Sequence, residues 1–325
     1  MNALEAIKSL KMNVSKSIIG QEKIVERLII ALLANGNLLL EGLPGLAKTR
    51  AIKSLAKNLH SDFSRIQFTP DLLPSDITGS EIYYSEDGKG KFKFEPGPLF
   101  GNLILADEIN RAPAKVQAAL LEAMEERQIT VAGTVHKLPE LFMVLATQNP
   151  IEQEGTYPLP EAQMDRFLMK VVIEYPSIES EEKVLQLVRN ESKTVESDEK
   201  TEQSNEMSED NVFVARKEID EVYTSPNIEK YIVQLINATR FPKEYGDNLT
   251  EWIKVGASPR GTIALDKSSR VYAWMMNRDH VTPEDVKAIV NDVLRHRLIL
   301  TYEANAQGMT TDDVIDEIVK VVAVA

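Results

Sequence analysis

The apolar run Asn37-Leu38-Leu39-Leu40-Glu41 leads straight into Gly42-Leu43-Pro44-Gly45-Leu46-Ala47-Lys48-Thr49, a glycine-bearing loop that ends in Lys-Thr. This is the order of residues with which a protein cradles nucleotide phosphates. Gly42 and Gly45 let backbone N–H groups turn toward the β- and γ-phosphates, and the helix that follows offers its positive N-terminal end to the same charge. Lys48 then neutralises phosphate oxygens and Thr49 holds Mg²⁺. Ala47 departs from the usual G-x-x-x-x-G-K-[ST] pattern, because it stands where a second glycine is expected. Alanine prefers negative φ, so either this peptide already has negative φ or the loop stores strain. The plain alternative is a strand-to-helix turn with a surface lysine.

Leu103-Ile104-Leu105-Ala106 delivers two adjacent carboxylates, Asp107 and Glu108, to the end of another apolar run. Alternation along a strand lets neighbouring acids take different tasks. Asp107 suits the Mg²⁺ shell, and Glu108 suits the positioning and polarising of the water that attacks the γ-phosphorus. Phosphoryl transfer is accelerated by placement and by charge aimed at the transition state, so further polar groups are required around the phosphate.

Asn149 follows the apolar run Phe142 to Ala146 and could bond the γ-phosphate or the attacking water, against the reading of an Asn-Pro turn residue. Arg260 follows Ser258-Pro259, a cap and first-turn proline, which puts a cation where the helix macrodipole disfavours it. A γ-phosphate would remove that conflict; a solvated arginine is the alternative. Arg166, in Glu161-Ala162-Gln163-Met164-Asp165-Arg166-Phe167, is placed to act as an arginine finger on a neighbouring subunit's nucleotide, or to pair with Asp165 or Glu161.

Strand-like runs at Asn37 to Glu41, Ser64 to Phe68, Asn102 to Ala106, Phe142 to Thr147 and Phe167 to Ile173 alternate with helical patterns. That predicts an α/β fold, a five-stranded parallel sheet between helices. Ligands of such sheets bind beyond the carboxyl ends of the strands, where Gly42 to Thr49, Asp107, Glu108, Gln148 and Asn149 fall.

Apolar alternation around Asp87-Gly88 and Ala132-Gly133 predicts two hairpin insertions, at about 77–98 and 128–138. The stretch 190–210 is charged and polar, and a mobile loop is expected there. Beyond it, Ile228, Tyr231, Ile232 and Leu235, then Val286, Ile289, Val290 and Val293, recur at helical spacing, and Thr282-Pro283 with Asp285 makes a helix start. The expected division is a nucleotide-binding core over 1–175 and an all-α lid over 176–325.

The 325 residues suffice for two domains, and the formal charge of -13 argues against DNA or RNA attraction as the main activity. Cysteine is absent, which excludes a disulfide framework and a thiol nucleophile, and the four histidines lack ligand spacing. No uncharged apolar run reaches the length of a membrane span, and the chain is expected to be cytoplasmic.

The motif order resembles the AAA+ ATPase family, specifically its MoxR branch. The segments that carry this are Glu41 to Thr49, Asp107-Glu108-Ile109-Asn110-Arg111-Ala112-Pro113, Ala146-Thr147-Gln148-Asn149-Pro150, Met164-Asp165-Arg166-Phe167 and Ala257-Ser258-Pro259-Arg260-Gly261. The resemblance implies ATP and Mg²⁺ as cofactors, with Ile19, Gly20, Gly42, Pro44, Gly45, Leu46, Ala47, Lys48, Thr49 and Arg50 contacting the nucleotide and Thr49 and Asp107 the metal. It makes Asn149 the first sensor, Arg166 the finger and Arg260 the second sensor, beside Glu108. It implies a homo-oligomeric ring, expected to be hexameric, that remodels or activates a client protein, such as one with a von Willebrand factor A domain. Nucleic-acid-directed ATPases, magnesium-chelatase-like motors and nucleotide-controlled binding modules share the core and remain the alternatives.

Overall fold

The structure is a computed structural model, and it describes residues 2–42, 48–86, 89–150, 156–194 and 208–323. The chain divides into two compact units. One comprises Met1–Ile29, Leu40–Tyr157 and Val172–Phe213, the other Ile30–Leu39, Pro158–Val171 and Val214–Ala325.

The strands of the central sheet are β1 (Leu38–Glu41), β2 (Phe63–Gln67), β5 (Leu103–Asp107), β8 (Met143–Gln148) and β9 (Met169–Val172). Their spatial order is β2-β5-β8-β1-β9. The parallel, helix-flanked sheet is the α/β fold expected from the sequence, and each strand lies within two residues of its apolar run. β1, β5 and β8 are continuous apolar runs because both of their faces are covered; Leu38, Leu39, Leu40, Leu103, Ile104, Leu105, Val144 and Leu145 are fully buried. The register sets Gln67 beside Asp107 and Ala106 beside Ala146, so the carboxyl ends of β2, β5 and β8 align.

Helices α1 (Ala3–Lys16), α3 (Lys48–Leu59), α4 (Pro74–Thr78) and α5 (Ala114–Glu126) belong to the first unit, and α2 (Glu22–Leu33) begins in it, with Ile30 to Leu33 assigned to the second. α1 opens with a capping box: Glu5 N–H donates to Asn2 at 2.8 Å and Asn2 N–H to Glu5 at 3.2 Å. It buries Ala3, Ala6, Ile7, Leu10 and Val14, one apolar stripe.

The two insertions are hairpins. β3 (Gly79–Glu86) pairs with β4 (Lys89–Pro96), and β6 (Gln128–Val131) with β7 (Thr134–Lys137). The tight turn of the second is made by Ala132 and Gly133, both at positive φ. Phe94 of β4 stacks on His136 of β7 with ring centroids 3.9 Å apart, so the hairpins touch at their bases. Ile82, Tyr83 and Phe92 stay exposed.

The stretch 190–210 does not behave as one loop. α7 (Ile178–Thr194) and α8 (Glu209–Asp220) extend into it from either side, while 195–207 lie outside the described residues. Charged residues at helical spacing face solvent at no cost, so polarity alone did not mark the helix ends.

In the second unit, α9 (Pro226–Arg240), α11 (Pro259–Met275), α12 (Pro283–Leu294) and α14 (Thr311–Val321) pack their apolar faces together. The short helices α6 (Glu161–Met164), α10 (Asp247–Trp252) and α13 (Tyr302–Ala306) and the two-stranded sheet of β10 (Ile253–Val255) and β11 (Ile299–Leu300) complete the set. Ile228, Tyr231, Ile232 and Leu235 are buried, as are Val286, Ile289, Val290 and Val293. Thr282 N–H donates to Asp285 at 2.7 Å, closing the start of α12.

His296 is buried, and its Nε2 donates to the Phe167 carbonyl at 3.2 Å. Burial, with Arg297, Lys170 and Arg295 nearby, holds its pKa well below the ordinary histidine value. The folded protein therefore stays unprotonated here while the unfolded chain takes up a proton below about pH 6.5, so stability rises with pH up to that value and falls under it. The expected loss from this one group is about 1.4 kcal/mol per pH unit below pH 6.5. Urea melts at pH 7.5 and 5.5 measure it, and a His296→Gln protein should show a shallower dependence.

Candidate functional site

The site in the first unit forms where β1, β5 and β8 end. Gly42 leaves β1 and donates its N–H to the Gln148 carbonyl at 3.3 Å. A Cβ at Gly42 would lie 2.9 Å from the Ile173 Cβ and 3.1 Å from its carbonyl oxygen. Close packing against the end of β9 thus requires this glycine, and its N–H bonds to the end of β8. Pro44, Gly45, Leu46, Ala47 and Leu43 lie outside the described residues.

Lys48 opens α3, with Thr49 and Arg50 in the same first turn. Its ammonium donates to the Gly42 carbonyl at 2.5 Å. Burial lowers its pKa, while Asp107, Glu108 and Glu41 pull the other way. Three carboxylates therefore favour the charged form of one lysine at the sheet edge. Such hard oxygen donors suit Mg²⁺, and an acidic edge of this kind accepts a polyphosphate only with added positive charge.

Asp107 ends β5. One of its oxygens accepts from the Thr147 hydroxyl at 2.6 Å and the other from Arg65 at 2.7 Å. Glu108 takes its separate direction through the backbone rather than through strand alternation, because it is left-handed at φ 58, ψ 50 and starts the 3-10 turn Ile109–Arg111. A non-glycine residue there costs about 1–2 kcal/mol. Its N–H donates to Thr147 Oγ1 at 2.9 Å, so one hydroxyl fixes both acids. The Glu108 carboxylate accepts from Gln67 at 2.8 Å and from Arg111 at 3.1 Å.

Gln148 closes β8, and Asn149 follows it, buried. The side-chain carbonyls of Gln148 and Asn110 are buried with no hydrogen-bond partner among the described residues. Unfilled acceptors of this kind at a sheet edge are suited to donors from bound solvent or ligand. Ile19 and Gly20 stand apart from this edge in the chain, and Gly20 packs against later residues of the same unit. Gly20 has φ +74, a Cβ there would lie 2.6 Å from the Ser180 Cβ, and Gln21 donates to the Glu174 carbonyl at 3.0 Å.

Arg65, Gln67, Arg111 and Thr147 were not assigned roles from the sequence. Their signal was present but unreadable: Gln67 and Arg65 alternate at the end of β2, and only the strand order shows that β2 lies next to β5.

Arg166 and Arg260 belong to the second unit. Ser258 caps α11, accepting from the Arg260 N–H at 3.0 Å and donating to Asp165 at 2.7 Å. The same Asp165 oxygen lies 3.7 Å from the Arg260 guanidinium. This carboxylate is therefore one anion near Arg260 at the helix start. Its other oxygen accepts from Arg297 at 2.9 Å. Ser258 was expected only as a helix cap and Asp165 only as an alternative partner for Arg166; Arg297 carried no predicted role, since nothing in the sequence joins residues so far apart.

The profile of the ATPase family associated with various cellular activities matches residues 37–169, and that of the AAA lid domain matches 249–318. Chaperone MoxR1 of Mycobacterium tuberculosis is 44% identical over 314 residues, covering 95% of this chain and 80% of that protein. YeaC of Bacillus subtilis is 43% identical, with 96% and 92% covered, and Protein MoxR of Methylorubrum extorquens is 32% identical, with 92% and 90% covered. The solved structure of a candidate ATPase from Cytophaga hutchinsonii, 46% identical, superposes with a TM-score of 0.89 and covers 99% of this chain and 96% of its own. With a family profile matched over 37–169 and relatives 32–44% identical that cover 92–96% of it, the chain belongs to the MoxR branch of the AAA+ ATPases.

Proposed function

We propose that the chain hydrolyses ATP and, as a cytoplasmic homo-oligomeric ring, expected to be hexameric, remodels or activates a partner protein. The partner class the reading points to is a protein with a von Willebrand factor A domain. One observation carries the hydrolytic reading: Thr147 ties Asp107 and Glu108 to a common point, and both acids bear on Lys48. Among the described residues no helix is long and apolar enough to cross a membrane. The reading keeps a nucleotide-binding core over 1–175 and a helical lid over 176–325.

Lys48 binds and neutralises phosphate oxygens, with Ile19 and Gly20 on the adenine side and Gly42 to Arg50 around the phosphates. Thr49 and Asp107 would hold Mg²⁺. When bound, the ion supplies positive charge to the phosphate oxygens as negative charge builds there. Glu108 accepts a proton from the attacking water, and Asn149 orients that water or the γ-phosphate. Arg260 senses the terminal phosphate of the chain's own nucleotide, and Arg166 completes the site of the neighbouring subunit.

Purified protein should turn over ATP in a Mg²⁺-dependent manner, and Lys48→Ala should bind a fluorescent ATP analogue at least about tenfold more weakly, the loss expected for a charge-assisted contact. Equal binding by parent and variant would remove Lys48 from the nucleotide site.

A further inference from the structure

The guanidinium of Arg297 is buried, and all five of its N–H donors have acceptors. Nε donates to the Asp165 carboxylate at 2.9 Å. One terminal nitrogen donates to the Asp165 carbonyl at 3.1 Å and the Phe167 carbonyl at 2.6 Å, the other to the Leu168 carbonyl at 3.2 Å and to the Val293 carbonyl. Three of these carbonyls bracket Arg166. A simple ion pair to Asp165 would need one or two donors, and lysine could supply it; five fixed donors are needed only to hold the backbone of 165–168 in one arrangement.

The start of α11 rests on the same pair. Asp165 accepts from Ser258, Ser258 accepts from the Arg260 N–H, and the Arg260 guanidinium stands 3.7 Å from that carboxylate. A Cβ on Gly261 would lie 3.3 Å from the Arg297 Cδ, so the turn after Arg260 lies directly against the Arg297 stem. Arg260 itself is half exposed, so its pairing with Asp165 is weak and easily exchanged for another anion. The strong bonds of Asp165 go to Ser258 and Arg297, which hold position rather than charge.

We propose that Asp165 and Arg297 are positioning residues that lock Arg166 and Arg260 into one block, so that the two arginines move together. This rests on the reading of Arg166 as the finger and Arg260 as the sensor. Under it, the arginine that serves a neighbouring subunit's nucleotide cannot shift without the one that serves the chain's own. The state of one site is thereby passed to the next through a few ångströms of packed side chains.

Subunit mixing with the full chain tests this. Arg166→Ala damages only the neighbour's site, so its ATP turnover recovers when it is mixed with Lys48→Ala. Arg260→Ala damages only its own site, so it fails to recover with Lys48→Ala but restores Arg166→Ala. Asp165→Asn should lose about 100-fold in turnover, the scale of an ångström of misplacement, and should do neither.

Parent-like affinity for fluorescent ADP shows that the variant is folded. Should Asp165→Asn fail to fold because Arg297 is left buried and unpaired, Arg297→Lys keeps the charge, removes the grip on the backbone, and should behave the same way. A folded Asp165→Asn or Arg297→Lys protein that recovers with Lys48→Ala, or that restores Arg166→Ala, overturns the coupling while leaving the arginine roles standing. Failure of Arg166→Ala itself to recover overturns the finger assignment and the coupling with it.

Discussion

Glu108→Gln is expected to bind ATP as the parent does and to hydrolyse it about 10²–10⁴-fold more slowly, the range for removing a positioned general base. The substitution keeps shape, so the left-handed backbone at φ 58 and the Thr147 bond to the Glu108 N–H stay in place. The amide retains hydrogen bonding toward Gln67 and Arg111 but can no longer take a proton from water. Lys48 keeps Asp107 and Glu41 in its surroundings, so phosphate binding has little reason to weaken.

Single-turnover hydrolysis beside equilibrium binding separates the two effects, and turnover near the parent's rate would take Glu108 out of the mechanism. A protein that holds ATP without cleaving it should also retain its partner, so what co-purifies with this variant in ATP identifies the client class directly.

Arg166→Ala should reduce turnover by about 10³-fold or more, the lower end for an arginine finger, with ATP affinity far less affected. The side chain belongs to a segment whose backbone is fixed by Arg297, so truncation removes the cation without releasing the turn that carries it. Because the expected target is a neighbouring subunit's nucleotide, the defect should lie in trans. Mixing with Lys48→Ala subunits, inactive in their own sites but carrying an intact Arg166, should restore part of the activity over a range of ratios. Absence of any recovery at every ratio would place the action of Arg166 within its own chain.

The parallel sheet was legible because β1, β5 and β8 are covered on both faces and so are written as uninterrupted apolar runs bounded by polar residues. The second hairpin was legible through Ala132-Gly133, turn residues whose chemistry is local; Asp87-Gly88, the signal for the first, lie outside the described residues. The helix starts at Ser258 and Thr282 were equally local, since a cap bonds within three residues of itself. The charged stretch was not legible in this way, because polar composition alone does not separate a helix end from a loop.

The chain by itself determined which chemistry is available: a lysine after a glycine-bearing loop, two acids at a strand end, an amide after another, an arginine ahead of the last strand and another in the first turn of a helix. Each of these rests on short-range rules of backbone geometry, side-chain alternation and capping. Only the tertiary structure decided what those groups touch. The neighbours of Asp107 and Glu108 come from β2 and β8, because sheet order is set by crossover connections rather than by sequence distance. The Asp165–Arg297 pair joins residues 132 positions apart, and burial alone makes such a contact matter: a desolvated guanidinium must find every one of its acceptors inside the fold.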